Sequence, residues 1–256
     1  MLGAIIGDFA GSIYEYEQTK KVKKVKIKNI IEDNAFFSDD TILTIAMLDA
    51  ILNKKEYSTK LKEYFNKYEN YLPSTTQYFK TIFSPGFTSW AKGDFIGQSI
   101  GNGAMMRISP IGFLFSSEME IIKNVELATN PSHNSKEAIN CAGIIALIIF
   151  YAKNGLSKKE IIKKLNLKIK KPKIRKFNYT CLDTIDICLY SFFKSKSFED
   201  SIKKAIYFGG DTDTNACIVG GMAEAFYGIE NNLKQKVYEK LPQEFIEILN
   251  LYYKNS

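Results

Sequence analysis

Apolar positions recur at helical spacing through most of the chain. Residues 41–52 are apolar with few breaks and open after a Ser/Asp cap. Residues 58–71 and 118–128 alternate apolar and charged positions every three to four residues, as one-sided helices do. Asn134 or Ser135 caps a helix reaching about Asn154, with Gly155 placed to end it. Residues 157–165, 181–193, 198–207, 214–227 and 242–253 are further predicted helices. Glycines spaced four apart between Gly3 and Gly11 predict a tightly packed first helix. Only residues 22–27 read as a strand, apolar at every second or third position among lysines. The expected fold is all-α, a compact multi-helix single domain over residues 1–256, with no repeat or linker dividing it. Residues 83–103 read as a loop rich in Gly, Ser and aromatics; a connection that long is more often functional than filler.

Composition narrows the class. Apolar residues make up 45% of 256, enough to fill a sizeable core and to argue against general disorder. The net charge is +7, and Lys20 to Lys28 concentrates lysines into one short run. Such a run is usually a solvated surface, so nucleic acid is an unlikely partner. The second run, Lys168 to Lys176 around Pro172, reads as an exposed connection. The four cysteines form no Cys-x-x-Cys pair and stand in apolar helical contexts, which predicts reduced, buried thiols and a cytoplasmic location rather than a zinc site. Asp8 interrupts the N-terminal apolar stretch and no basic segment precedes it, so no signal peptide is expected. The longest apolar run, residues 141–152, is too short to span a bilayer, so no membrane partner is expected. Oligomeric state leaves no mark in the sequence.

Chemistry concentrates in two acidic motifs, Ser38-Asp39-Asp40-Thr41 and Gly209-Gly210-Asp211-Thr212-Asp213-Thr214. Helix capping accounts for one acid in each, not two. The run from Asp211 resembles the start of an EF-hand loop but has Ala216 at the sixth position and Met222 at the twelfth, where that loop needs Gly and Glu. The helix after it is built from small residues, with Gly220 and Gly221 inside. Each interior glycine costs about 1 kcal/mol relative to alanine. Close approach of a second helix is a plausible return, and it would bury the motif. Buried carboxylates with no lysine or arginine in the motif call for a metal, and carboxylate and hydroxyl oxygens suit hard divalent cations.

Three further features accompany them. Gly101-Asn102-Gly103-Ala104-Met105-Met106-Arg107 offers glycines that let backbone amides approach a phosphate, or an ordinary turn before a helix. His133 is the single histidine; a helix N-terminus just after it favours the neutral ring, structural or in contact with a ligand hydroxyl. Glu15 is either a surface residue or an acid reaching the metal site.

These elements in this order resemble the ADP-ribosylglycohydrolase family, which includes the dinitrogenase reductase-activating glycohydrolases. The family's Gly-Asp-x-x-Gly-x-x-x-Glu pattern matches Gly7 to Glu15, and its Thr/Ser-Asp-Asp-Thr motif matches Ser38 to Thr41. Its Gly-Asn-Gly-x-x-Met-Arg loop matches Gly101 to Arg107, its histidine before a long helix matches His133, and its Gly-Gly-Asp-Thr-Asp-Thr-x-Ala signature is whole in Gly209 to Ala216. The resemblance implies an all-helical fold with two Mg2+ ions, or Mn2+, in a central cleft. It implies Ser38, Asp39, Asp40, Asp211, Asp213 and Thr214 as ligands. Glu15, Asp39, Asp40 and Asp213 would form the catalytic set. Gly101, Asn102, Gly103, Ala104 and Met105, with His133, would bind substrate, the loop cradling a diphosphate. The implied activity is hydrolysis of the N- or O-glycosidic bond between ADP-ribose and a protein side chain or small acceptor. A non-catalytic ADP-ribose binder and a metal-dependent phosphoesterase are the alternatives. Ser38 and Ser132 stand where the family more often has threonine, and the chain is short for the family, implying fewer or smaller gating loops.

Overall fold

A computed structural model describes residues 1–73, 80–173 and 176–253. Its architecture is helical throughout. The elements in chain order are α1 (Leu2–Lys20), α2 (Asp39–Leu52), α3 (Tyr57–Tyr68), α4 (Pro85–Lys92), α5 (Gly103–Met106), α6 (Ser109–Leu114) and α7 (Glu118–Thr129). There follow α8 (Lys136–Lys153), α9 (Lys158–Lys164), α10 (Cys181–Phe193), α11 (Phe198–Tyr207), α12 (Thr212–Tyr227), α13 (Asn231–Tyr238) and α14 (Gln243–Tyr253). Among the described residues there is no strand, and no helix is long and apolar enough to cross a membrane. All four cysteines are buried and free.

The pair α1 and α12 forms the central axis. Gly3, Gly7 and Gly11 on α1 lie against Gly220, Ala216 and the Thr212–Asp213 backbone of α12. A Cβ on Gly7 would lie 2.0 Å from the Ala216 carbonyl oxygen, far closer than van der Waals contact allows. The small residues of α12 thus do what their sequence suggested: they admit a neighbouring backbone and draw the helix into the core. Gly7→Ala is therefore expected to destabilise the protein by about 3 kcal/mol or more, because backbone cannot move aside as a flexible side chain can. Urea unfolding measures this, and an unchanged midpoint would refute the packing.

Several sequence expectations change here. The predicted strand at 22–27 is an extended segment. Its Val25 amide donates to the carbonyl of Tyr207 (3.1 Å), which ties it to the end of α11 rather than to a sheet edge. Helix α3 stops at Tyr68, and Tyr71 instead stacks on Phe37 with ring centroids 4.5 Å apart. The long loop at 83–103 contains α4, started by Pro85 and capped by Ser84, whose hydroxyl accepts from the Phe87 amide. Helix α12 begins at Thr212 rather than Thr214. Part of the second lysine run, residues 174 and 175, lies outside the described residues.

Candidate active site

The acidic motifs meet where the N-termini of α2 and α12 converge. Ser38 caps α2, its hydroxyl accepting from the Asp40 amide (3.2 Å). Asp8, from the middle of α1, completes that cap. Its carboxylate accepts from the amides of Ser38 (2.9 Å) and Thr41 (3.0 Å) and from both of their hydroxyls (2.8 and 2.6 Å). With the cap already satisfied, Asp39 and Asp40 are left for other work. Asp211 is the N-cap residue of α12 but makes no side-chain cap bond. Two left-handed glycines aim it: Gly209 at φ 74° and Gly210 at φ 78°. A Cβ on Gly210 would collide with Asn178, whose side-chain oxygen accepts from the Asp211 amide (3.0 Å).

Hydrogen bonds stitch the separate segments together. Thr214 Oγ1 donates to Asp40 (3.1 Å), joining the two acidic motifs. Asn102 Nδ2 donates to Asp211 (2.7 Å), joining the glycine loop to the second motif. Asp8, Asp40 and Asp213 each bring an oxygen within 4.8 Å of the other two, and so do Glu15, Asp211 and Asp213. Asp39 stands outside both tight groups but faces the same cavity.

That cavity, about 660 Å³, is lined by Glu15, Asp39, Asp40, Asp211, Asp213 and Thr214. Gly101, Asn102, Gly103, Ser132 and His133 line it as well. Phe83, Phe87 and Trp90 supply an aromatic wall; Phe83 and Phe87 stack at 5.8 Å, and Trp90 lies 5.3 Å from Phe87. Ala104 and Met105 do not reach the cavity. Both are fully buried in the core, and the Met105 amide already donates to the carbonyl of Asn102 (2.8 Å). The loop's approach to a ligand is thus confined to Gly101, Asn102 and Gly103.

The ADP-ribosylglycohydrolase family model matches residues 1–254. The chain belongs to this family. It is 23% identical to an ADP-ribosylarginine hydrolase, Tri1, of Pseudomonas putida, over 96% of this chain and 72% of that one. It is 22% identical to the ADP-ribosylhydrolase ARH3 of Mus musculus, over 90% of this chain and 83% of that protein. A solved ADP-ribosylglycohydrolase-related protein complex shares the fold, with a TM-score of 0.69 and 18% identity, covering 96% of this chain and 89% of that chain. The protein is thus a hydrolase acting on glycosyl bonds.

In this ADP-ribosylglycohydrolase-family enzyme the site is electrostatically strained. Burial, more than any neighbour, pushes every carboxyl of the cluster upward. Asp8 rises to about 6, its four hydrogen bonds holding it down. Asp39 rises to about 8, with Asp8 and Asp211 adding repulsion. Glu15, Asp40 and Asp213 stand well above the ordinary carboxylate range, and Asp211 is also raised. Arg107, 1% exposed, is the buried cation that answers Asp39; burial lowers it to about 10, still protonated at neutral pH. Asp40 Oδ1 is buried with no hydrogen-bond partner. An acceptor oxygen without a donor, inside a set of carboxylate and hydroxyl oxygens, fits a hard divalent cation.

Two residues of this site escaped the sequence reading. Asp8 interrupts an apolar run and stands in the Gly7-to-Glu15 pattern, but neither assigns it a role at the acidic site, and Asn178 gives no signal at all. Arg107 was read as the end of the glycine loop; its burial against the acidic cluster is a product of the fold. The neutrality expected of His133 is present but arises differently, from burial and from the Arg107 charge, which together push the imidazole well below its usual range.

Proposed function

We propose that this chain hydrolyses the N- or O-glycosidic bond linking ADP-ribose to a protein side chain or small acceptor, releasing ADP-ribose. The observation that carries this reading is the convergence of Glu15, Asp39, Asp40, Asp211 and Asp213 on one cavity that Gly101, Asn102, Gly103 and His133 also line. Ser38, Asp39, Asp40, Asp211, Asp213 and Thr214 would hold two divalent cations, magnesium or, in its place, manganese. When bound, such ions supply the positive charge that lets these carboxylates share a cleft ionised and that orients ribose hydroxyls.

The remaining work falls to the chain. Gly101 and Gly103, lacking side chains, let the loop approach a diphosphate closely, and His133 contacts the same group. Glu15 is partly open to the cavity, whereas Asp40 and Asp213 are buried, which supports Glu15 as the group that would take the proton from the water that attacks the anomeric carbon. The bond to the acceptor breaks through an oxocarbenium-like state; water supplies the hydroxyl on the anomeric carbon, and its proton, taken by Glu15, ends on the departing acceptor. The apolar rings of Phe83, Phe87 and Trp90 would limit the water the cavity holds.

One experiment separates this reading from its rivals. The protein with magnesium is incubated with peptides ADP-ribosylated on arginine or serine and with ADP-ribosylated nucleosides, and products are identified by mass spectrometry. Because one relative is an ADP-ribosylarginine hydrolase, the arginine conjugate comes first. Free ADP-ribose, absent in excess chelator, is expected. AMP would identify a phosphoesterase, and tight ADP-ribose binding without release from any conjugate would identify a binding module.

A further inference from the structure

His133 sits in a hydrogen-bond arrangement that leaves its protons little choice. Its Nδ1 lies 2.8 Å from Ser132 Oγ and 3.5 Å from Arg107 Nη2. Arg107 Nη2 also donates to Ser132 Oγ at 2.7 Å. A guanidinium has donors only. Ser132 therefore accepts from Arg107, and its own hydroxyl proton turns to Nδ1. A proton on Nδ1 would instead face the Arg107 N–H head-on and leave the serine proton without an acceptor. The neutral ring must carry its proton on Nε2.

Nε2 faces the other way. It lies beside Gly101 and Gly103, 3.7 and 3.4 Å from where their Cβ atoms would be. A Cβ at Gly103 would lie in ordinary van der Waals contact with the ring. Among the described residues Nε2 has no hydrogen-bond partner, and the ring lines the cavity. The backbone holds the ring in place: the His133 amide donates to Thr129 (2.8 Å), and Asn134 donates to Gly97 (2.9 Å).

Arg107 is among the residues that line the cavity, but it exposes almost none of its surface there. It is 1% exposed, and its Nη1 is buried without a partner, while the guanidinium lies 5.8 Å from the Phe87 ring centre. Its hydrogen bond to Ser132 ties it to His133.

We propose that Arg107 and Ser132 are positioning residues that lock His133 as its neutral Nε2–H tautomer and so direct its one free N–H to an anionic oxygen held at the Gly101–Gly103 loop. The tautomer half stands on the ligand-free geometry. The ligand half rests on the ADP-ribose reading above, in which the oxygen belongs to the diphosphate. The Ser132 hydroxyl is the necessary middle link, which threonine would also supply.

The single histidine makes the test clean. Protein labelled with ¹⁵N-histidine is examined by long-range ¹H–¹⁵N correlation at neutral pH without ligand. One tautomer is expected, with Nδ1 bare and Nε2 protonated; a protonated Nδ1, or a rapidly averaged pair, overturns the proposal. Ser132→Ala should release the ring to a tautomer mixture and weaken ADP-ribose binding about tenfold in magnesium, the scale of one hydrogen bond to a charged group. Ser132→Thr should retain both properties. An unchanged tautomer in Ser132→Ala overturns the relay, whatever its affinity. Arg107→Met should show the same release of the ring; should it fail to fold, the Ser132 pair still decides. Wild-type protein that shows the tautomer but binds no ADP-ribose would overturn the ligand half together with the proposed function and leave the tautomer half supported.

Discussion

Asp40→Asn is expected to lower turnover at least about 10³-fold, the scale of removing one preorganised charge-stabilising group, while making the metal-free protein more stable. The two effects share one cause. Asp40 is buried with Asp8 and Asp213 oxygens within 4.8 Å, and its Oδ1 has no donor. As a cation ligand it is valuable; without a cation it is a buried acceptor facing like charges. Asparagine keeps the shape, and its carbonyl can still accept from Thr214 Oγ1. Its amide places a donor where the orphan oxygen was. The metal-free melting temperature should rise by about 3 °C or more, since about 1 kcal/mol moves a protein of this size by 2–4 °C. The upward shift expected of the wild type in magnesium should shrink or vanish. Steady-state hydrolysis of an ADP-ribosyl conjugate and paired melting curves in chelator and in magnesium measure all three. Asp8→Asn supplies the contrast. Its carboxylate accepts four hydrogen bonds at the start of α2, so an amide there must break at least one, and stability should fall. If Asp40→Asn lost stability in the same way, Asp40 would be a structural residue and its place among the ligands would be wrong. Activity within tenfold of wild type would exclude it as a ligand outright.

How far this site was legible in the sequence depended on whether the signal was local. The long helices declare themselves because three or more turns of periodicity survive a few exceptions; α8 runs from Lys136 to Lys153, as expected after its Ser135 cap. Helices α5, α6 and α13 have four, six and eight residues, too few turns for a period to show. The lysine-rich segment at 22–27 imitated a strand because Val25 alone is buried while the lysines around it point outward. The acidic motifs were legible as an excess: two acids where a cap needs one. What the excess could not reveal is that the cap on α2 is supplied by Asp8, from a helix far away in sequence. The Arg107–Ser132–His133 relay is likewise made by folding, because Arg107 and Ser132 are joined only by tertiary packing. Glycine was the most informative residue type. At 3, 7 and 220 it marked the α1–α12 approach, and at 209 and 210 it marked the bend that aims Asp211.

Chelated protein should lose stability as pH rises from about 4 to about 8, and divalent cation should abolish that loss. The sign follows from the carboxyl groups. In the unfolded chain an aspartate releases its proton near its ordinary value of 3.8, whereas in the fold Asp8 holds it to about 6 and Asp39 to about 8. Glu15, Asp40 and Asp213 are displaced in the same direction. Between these limits the folded state binds more protons than the unfolded state, so stability falls with rising pH by about 1.4 kcal/mol per unit for each proton of difference. His133 acts oppositely: its folded value lies below 6.5, so it favours the fold as pH rises toward 6.5. One imidazole does not outweigh the carboxyl cluster. A net difference of a single proton between pH 5 and pH 7 amounts to about 2.7 kcal/mol, or roughly 5–10 °C in melting temperature. Saturating magnesium removes the reason for the slope, because carboxylates neutralised by cations no longer need protons to share a cleft, and metal binding itself releases those protons. The protein should therefore take up magnesium more tightly at pH 8 than at pH 6, with protons released to the buffer. Differential scanning fluorimetry across that range, with and without chelator, reads the slopes, and calorimetry in two buffers of different ionisation enthalpy counts the protons. A chelated protein that gains stability from pH 5 to pH 8 would show that the cluster is ionised and satisfied without metal, and the cation site would have to be abandoned.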